Sequence, residues 1–186
     1  KKQLTNIIEH FKEGKILSLI SDAGTPLLSD PGRLLVNQCI KNGIHVTPIP
    51  GVSSITSSVS ISGFRDQFLF YGFLPKTENE LEKVLNILSQ NQYTQVFFAP
   101  SKKINFYIKH FKRFFSGRKI LIAKEITKIH EAFYREDIDD LKLFNNSIKG
   151  ELTIVISEKK IDKNHSQELN ESDMNIIKKI INKFTI

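Results

Sequence analysis

The sequence predicts an α/β protein in two successive parts, a parallel α/β pattern over residues 1–65 and an α+β half with several sequential strands over 66–158, with residues 159–186 as a linker and the start of a small helical module. Three observations predict it. Short apolar runs at 16–20, 94–99 and 151–157 alternate with segments whose apolar residues recur every three to four positions. All six prolines fall in residues 1–100, at the edges of predicted strands. Turn signals such as Asn42-Gly43 and the hinge Gly63-Phe64-Arg65-Asp66 separate the segments.

Each element follows from its local pattern. Apolar residues at 4, 7, 8 and 11 predict a helix, with Gly14 as its stop. Residues 16–20 predict a buried strand. The loop Ser21-Asp22-Ala23-Gly24-Thr25-Pro26-Leu27-Leu28-Ser29-Asp30-Pro31-Gly32 then leads into a helix over 33–42. Such a strand-to-helix edge is where open α/β sheets bind ligands. Asp30 and Pro31 read both as helix cap and first helical residue and as site residues. Residues 44–49 predict a second strand, with Pro48 at its end. In Pro50-Gly51-Val52-Ser53-Ser54, Ser53 or Ser54 can cap a helix over 54–62. That helix is rich in Ser and has poor intrinsic propensity, so it is expected to pack closely on the sheet or a ligand.

Residues 68–73 predict a strand closed by Leu74-Pro75, and apolar positions 81, 84, 85 and 88 predict a helix. A strand over 94–99 is followed by Ser101 as cap of a helix over 102–115. Residues 119–124 predict a strand, 131–135 a short strand of open pairing, 138–144 a weak helix opened by Asp137, and 151–157 the last strand. A polar linker over 158–170 precedes a helix over 171–184 with Met174, Ile177, Ile180, Ile181 and Phe184 on its apolar side.

The net charge of +7 is concentrated: residues 102–128 hold nine Lys or Arg against one Glu. Lys102, Lys103, Lys109, Lys112 and Arg113 on the predicted helix suggest a polyanionic partner, nucleic acid above all, against the plainer reading of a solvated basic face. No apolar run approaches the ~20 residues that span a bilayer, so no membrane partner is expected. Cys39 is the only cysteine, which excludes an internal disulfide and a Cys-based zinc site and favours a reducing, cytoplasmic setting. The chain begins at Lys1 and its only Met is Met174, so a preceding segment is expected.

Several chemistries lack their motifs. There is no phosphate-binding Gly-Lys-Ser/Thr loop, no pair of glycines at dinucleotide-binding spacing, and no nucleophile elbow. The five histidines have no metal-ligand spacing, so no metal is expected. The turns that remain as site candidates are the 21–32 loop, Pro50 to Ser54, Tyr71-Gly72-Phe73-Leu74-Pro75, and Lys124-Glu125-Ile126-Thr127-Lys128-Ile129-His130-Glu131, with Lys149-Gly150-Glu151 as a weaker one. The eight residues from Lys124 hold two carboxylates, two amines and an imidazole, a density suited to a polar or anionic ligand.

The order and spacing of these motifs over roughly residues 4–158 resemble the ribosomal RNA small subunit methyltransferase I family, within the tetrapyrrole-methylase-like class III methyltransferases. The resemblance implies two α/β domains with S-adenosylmethionine in the cleft between them, commonly in a homodimer. It implies 2′-O-methylation of a cytidine ribose in 16S rRNA of the small ribosomal subunit. Its cofactor cleft would be lined by Ser21, Asp22, Ala23, Gly24, Thr25, Pro50, Gly51, Ser53, Ser54, Tyr71, Gly72 and Glu151. Glu125 and Lys128, with Asp30 behind them, would assist loss of the ribose proton. The family's first strand and its Glu-Asp-Thr-Arg segment would precede Lys1. Two other readings are a tetrapyrrole C-methyltransferase, whose family usually has Gly-Asp-Pro where this chain has Ser21-Asp22-Ala23, and a non-catalytic RNA-binding module.

Overall fold

A computed structural model describes residues 2–145 and 148–159. The helix expected over 171–184 and nearly all of the linker lie outside the described residues. The elements run α1 (Lys2–Lys12), α2 (Arg33–Lys41), α3 (Ser54–Ser60), β1 (Phe68–Phe73), α4 (Glu78–Ser89), β2 (Thr94–Pro100), a 3-10 turn at Ser101–Lys103, α5 (Ile104–Phe114), β3 (Lys119–Lys124), β4 (Ala132–Asp137) and β5 (Glu151–Ile156).

The five strands form one sheet in the order β1-β2-β5-β3-β4. β1 runs parallel to β2, and β5 is antiparallel to both β2 and β3. The moves from β1 to β2 and from β2 to β3 are therefore crossovers in the same direction, by way of α4 and α5. Crossovers of one hand put both helices on the same face. The period-two alternation agrees. Phe97, Ile120, Ile122, Ile154 and Ile156 pack with Leu81, Leu85, Tyr107 and Phe111 of the two helices. Val96, Leu121 and Val155, on the other face, pack against Ile55 of α3. The main core thus lies under α4 and α5, and the thinner face carries α3.

Arg118 joins the two helices' ends to the sheet. It is 4% exposed, and its guanidinium donates to Ser89 O at 2.7 Å and Asn91 O at 3.0 Å at the C-terminal end of α4. Burial holds its pKa below the usual arginine value, and the nearby Glu158 carboxylate opposes that shift.

Three expectations are corrected. Residues 16–20 and 44–49 are not strands: all five strands among the described residues lie between Phe68 and Ile156. A strand is held by a neighbour's backbone groups, and here neither segment has such a neighbour. Its apolar side chains stay in solvent, with Ile16 at 96% and Ile49 at 85% exposure. Residues 138–144 make a single turn, not a helix. Asp137 O accepts from Asp140 N and Leu141 N, but Asn105 then takes both the N–H and the C=O of Phe144 at 2.9 and 2.8 Å and draws the chain out of helical geometry. Asp30 does not cap α2, whose N-cap is Gly32 at φ 133°, a conformation suited to glycine; Ser53 and Ser101 likewise give no side-chain capping bond. The short strand of open pairing is β4, which forms an antiparallel hairpin with β3. None of the helices among the described residues is long and apolar enough to cross a membrane.

Candidate active site

β1 and β2 both end at the edge where β3 ends and β5 begins, because β5 runs opposite to its neighbours. A cavity of about 770 Å³ opens there, within the 300–1,000 Å³ range of small-molecule sites. One wall is the 21–32 loop with the start of α3. The other is formed by Phe73, Phe98 to Pro100, Glu125 to Lys128 and Gly150 to Thr153.

The loop is shaped by its own sequence. Ser21 Oγ donates to Ala23 O at 3.4 Å and to Gly24 O at 3.1 Å, folding the first turn on itself. Leu27 and Ser29 sit at φ 72° and 65°, a left-handed conformation that costs a non-glycine residue energy and clusters at functional sites. The loop meets the sheet at Gly72. β1 carries a bulge there: Phe70 pairs with Val96 and Gly72 with Phe97, leaving Tyr71 as the extra residue. Gly72 has φ 91°, and a Cβ on it would stand 3.0 Å from Ser29 Oγ.

The facing wall is an ion-paired clasp. Lys128 Nζ lies 2.8 Å from Glu151 Oε2 and 3.3 Å from Glu125 Oε1. Glu151 N donates to Glu125 Oε1 at 2.8 Å. That backbone hydrogen bond, with Lys128 beside it, holds the Glu125 carboxyl below the usual carboxylate range. The hydrogen bond to Glu151 holds the Lys128 ammonium above the usual lysine value. Thr127 N donates to Glu131 Oε2 at 2.7 Å, closing the rest of this turn.

Of the residues singled out in the sequence, Ser21 to Thr25, Asp30, Ser53, Ser54, Glu125, Lys128 and Glu151 come together on the cavity wall. Pro50, Gly51, Tyr71 and Gly72 are not among its lining residues; Gly72 instead supports the loop from behind. Val52 and Phe73, from the candidate turns at 50–54 and 71–75, also line the cavity, as do Phe98 and Thr153, which lie inside strands and outside every candidate turn. The basic residues divide. Lys102 lies two residues beyond Pro100, which lines the cavity, and is exposed. Lys103 donates to Lys76 O at 2.7 Å, Lys112 to Asp139 O at 2.9 Å, and Arg113 pairs with Glu82. Glu78, Glu82 and His110 also gather on the α4 and α5 face, where Arg113 holds Glu82 and His110 Nε2 stands 3.7 Å from Glu78.

Residues 1–142 match the family model described as Tetrapyrrole (Corrin/Porphyrin) Methylases. The chain is 36% identical over 162 residues to Ribosomal RNA small subunit methyltransferase I of Thermotoga maritima, covering 86% of this chain and 72% of that protein. The chain belongs to the ribosomal RNA small subunit methyltransferase I family. The protein of the same name from Rickettsia prowazekii is 40% identical over 154 residues, which cover 81% of this chain and 55% of the relative. The chain thus spans between about half and about three quarters of these relatives' length.

Solved structures share the fold at lower identity. The methyltransferase CobJ superposes with a TM-score of 0.62 at 16% identity, covering 86% of this chain and 72% of that one. A uroporphyrin-III C-methyltransferase from Thermus thermophilus, complexed with S-adenyl homocysteine, gives 0.53 at 14% identity, covering 83% and 72%. The family is one of methyltransferases carried on the tetrapyrrole methylase fold. The identities to the two rRNA small subunit methyltransferases, 36% and 40%, stand above the 16% and 14% to these two solved structures.

Proposed function

We propose that this chain carries the cofactor cleft of an S-adenosylmethionine-dependent methyltransferase acting on the 2′-oxygen of a cytidine ribose in 16S rRNA. The observation that carries the reading is the cavity itself. It joins the 21–32 loop to the ends of β1, β2 and β3 and the start of β5, in a chain at least 36% identical to two proteins named as rRNA methyltransferases. Its walls suit a nucleoside with a charged amino-acid tail. Leu19, Val52, Phe73 and Phe98 offer apolar surface, Ser21, Ser53 and Ser54 offer hydroxyls, and Asp22 offers a carboxylate for a ribose or an ammonium. Gly24 is open on its side-chain side, with nothing within 4 Å of a built Cβ, so its backbone is accessible to a ligand.

S-adenosylmethionine supplies the methyl group when bound. The chain's own residues then align the ribose oxygen and manage its proton. Asp30, on the cavity wall, is the carboxylate assigned to accept that proton. Lys128, on the opposite wall, is the cation that steadies charge developing on the oxygen. Lys102, exposed two residues beyond the cavity's Pro100, is assigned to an rRNA phosphate, a contact that positions rather than specifies. A homodimer working in the cytoplasm on the small ribosomal subunit completes the proposal.

The test uses the intact protein with radiolabelled cofactor, offered 30S subunits, naked 16S rRNA and a uroporphyrinogen. Transfer to 16S rRNA, mapped to a ribose by the resistance of the adjoining phosphodiester to alkaline cleavage, is expected. Cofactor binding without transfer to RNA would end the substrate assignment, and transfer to the porphyrinogen would replace it. Absence of cofactor binding by calorimetry would end the enzymatic reading.

A further inference from the structure

We infer that Glu125 is a positioning residue, which clamps the first residue of β5 and thereby sets the Lys128 ammonium at the cavity wall. The role assigned to Lys128 rests on the methyl-transfer reading above; the clamp itself rests on geometry alone.

The ladder between β3 and β5 ends with Lys124 opposite Leu152. The next pair would be residue 125 opposite 151. Glu125 leaves the strand there, turning to φ 49°, and Thr127 follows at φ 66°. A turn off the sheet withdraws a backbone acceptor, yet the pair still exchanges two hydrogen bonds. Glu125 N donates to Glu151 O at 3.0 Å, and Glu151 N donates to Glu125 Oε1 at 2.8 Å. The side chain has taken the place of the missing carbonyl. The ladder is extended by one residue, and the chain is freed to form the 125–131 turn.

Gly150 makes room for this. Its φ is 107°, and a Cβ there would stand 2.5 Å from Cγ and Cδ of Glu125. The carboxylate arm lies against bare backbone, and its side chain is only 17% exposed. The same Oε1 also accepts from Lys128 Nζ at 3.3 Å, while Lys128 N donates to Glu125 O at 2.9 Å. Glu125 thus holds Lys128 from both ends. A general base needs a free lone pair and a pKa near the working pH. Oε1 here is shared by two donors, and the backbone hydrogen bond from Glu151, with Lys128 beside it, lowers the pKa of the whole carboxyl group, which leaves either oxygen a weaker base than an ordinary carboxylate.

The two roles part on substitution by glutamine, because an amide oxygen still accepts from Glu151 N but takes no proton. In the intact protein, Glu125→Gln is expected to keep kcat within about threefold, whereas Glu125→Ala and Gly150→Ala lower it on the order of a hundredfold through misplacement of Lys128. KM for the cofactor stays within a few-fold, and the pH–rate midpoint does not move. Amide exchange at Glu151 is followed in parallel, and it speeds up in Glu125→Ala but not in Glu125→Gln. A Glu125→Gln enzyme as inactive as Glu125→Ala, with a shifted pH profile, would overturn the inference in favour of a base. So would a Glu151 amide indifferent to Glu125→Ala, even if the wild-type protein methylates no RNA. That last failure of activity by itself would count against the methyl-transfer reading and leave the exchange result to decide the clamp.

Discussion

Replacing Gly72 by Ala tests how the 21–32 loop is held to the sheet. Two effects add at this position. A non-glycine residue at φ 91° is strained by about 1–3 kcal/mol. The new methyl also meets Ser29 Oγ at 3.0 Å, and Ser29 already sits at φ 65°, so the loop has little freedom to yield. Crowding of this kind costs a further ~1 kcal/mol or more. Gly63 is the control. Its φ is 73° and nothing lies within 4 Å of a built Cβ, so Gly63→Ala carries strain alone, about 1–2 kcal/mol. Urea unfolding followed by far-UV circular dichroism reads the difference. With an m-value of roughly 2 kcal/mol/M, a loss of about 3 kcal/mol lowers the midpoint by about 1.5 M. Cofactor affinity measured by calorimetry should fall for Gly72→Ala and stay unchanged for Gly63→Ala, since only the former displaces a cavity wall. Equal midpoints for the two variants, with equal affinities, would refute the claim that loop and sheet meet at Gly72.

Phe97→Ala removes a fully buried ring stacked on Phe111 at 6.1 Å and should cost about 3–5 kcal/mol in the same urea assay; a loss under about 1 kcal/mol would place the core elsewhere. Lys102→Gln should weaken RNA binding and reduce the slope of log K against log salt by about one, and an unchanged slope would remove Lys102 from the interface. The Asp139 carboxyl is held below its usual range by the Gly117 N–H, with Ser116 assisting. A depressed folded value means its stabilisation is present above the ordinary carboxylate pKa of about 4 and is lost as pH falls through the lower folded value. Asp139→Asn should therefore flatten the acid limb of the stability curve, and an identical acid limb in the variant would contradict the assignment.

The second half of the chain was legible because its elements contain their own partners. Residues 68–73 and 94–99 form strands where expected, since β2 lies beside β1 and β5 covers its other edge. Residues 16–20 have the same apolar character and form none, because pairing belongs to two segments and not to one. The helix expected over 138–144 failed for a similar reason. Its pattern was local, and the hydrogen bonds that overrule it come from Asn105, 39 residues away from Phe144. The site follows the same division. Its Gly, Pro, Asp and Ser residues could be read as turns that a simple connection does not need. Phe98 and Thr153 could not, because the insertion of β5 between β2 and β3 decides which strand ends share the edge.

Charge shows why composition alone overstates an interface. Residues 102–128 carry an excess of eight positive charges in the sequence, which reads as one basic stripe. In the fold, Arg113 is matched by Glu82, Lys112 and Lys103 are spent on main-chain carbonyls, Lys128 is held between two carboxylates, and Arg118 is buried. A charge already satisfied within the protein releases fewer counterions from RNA than its formal value implies. Lys102, Lys109 and Lys119 are exposed; Lys102 lies two residues beyond the cavity's Pro100, while Lys109 lies along α5 and Lys119 opens β3 at the end away from the cavity. The RNA-facing charge is therefore expected at the start of that segment. A salt slope well below the formal excess would follow from this arrangement, whereas a slope near eight would mean that the internal pairs open when RNA binds.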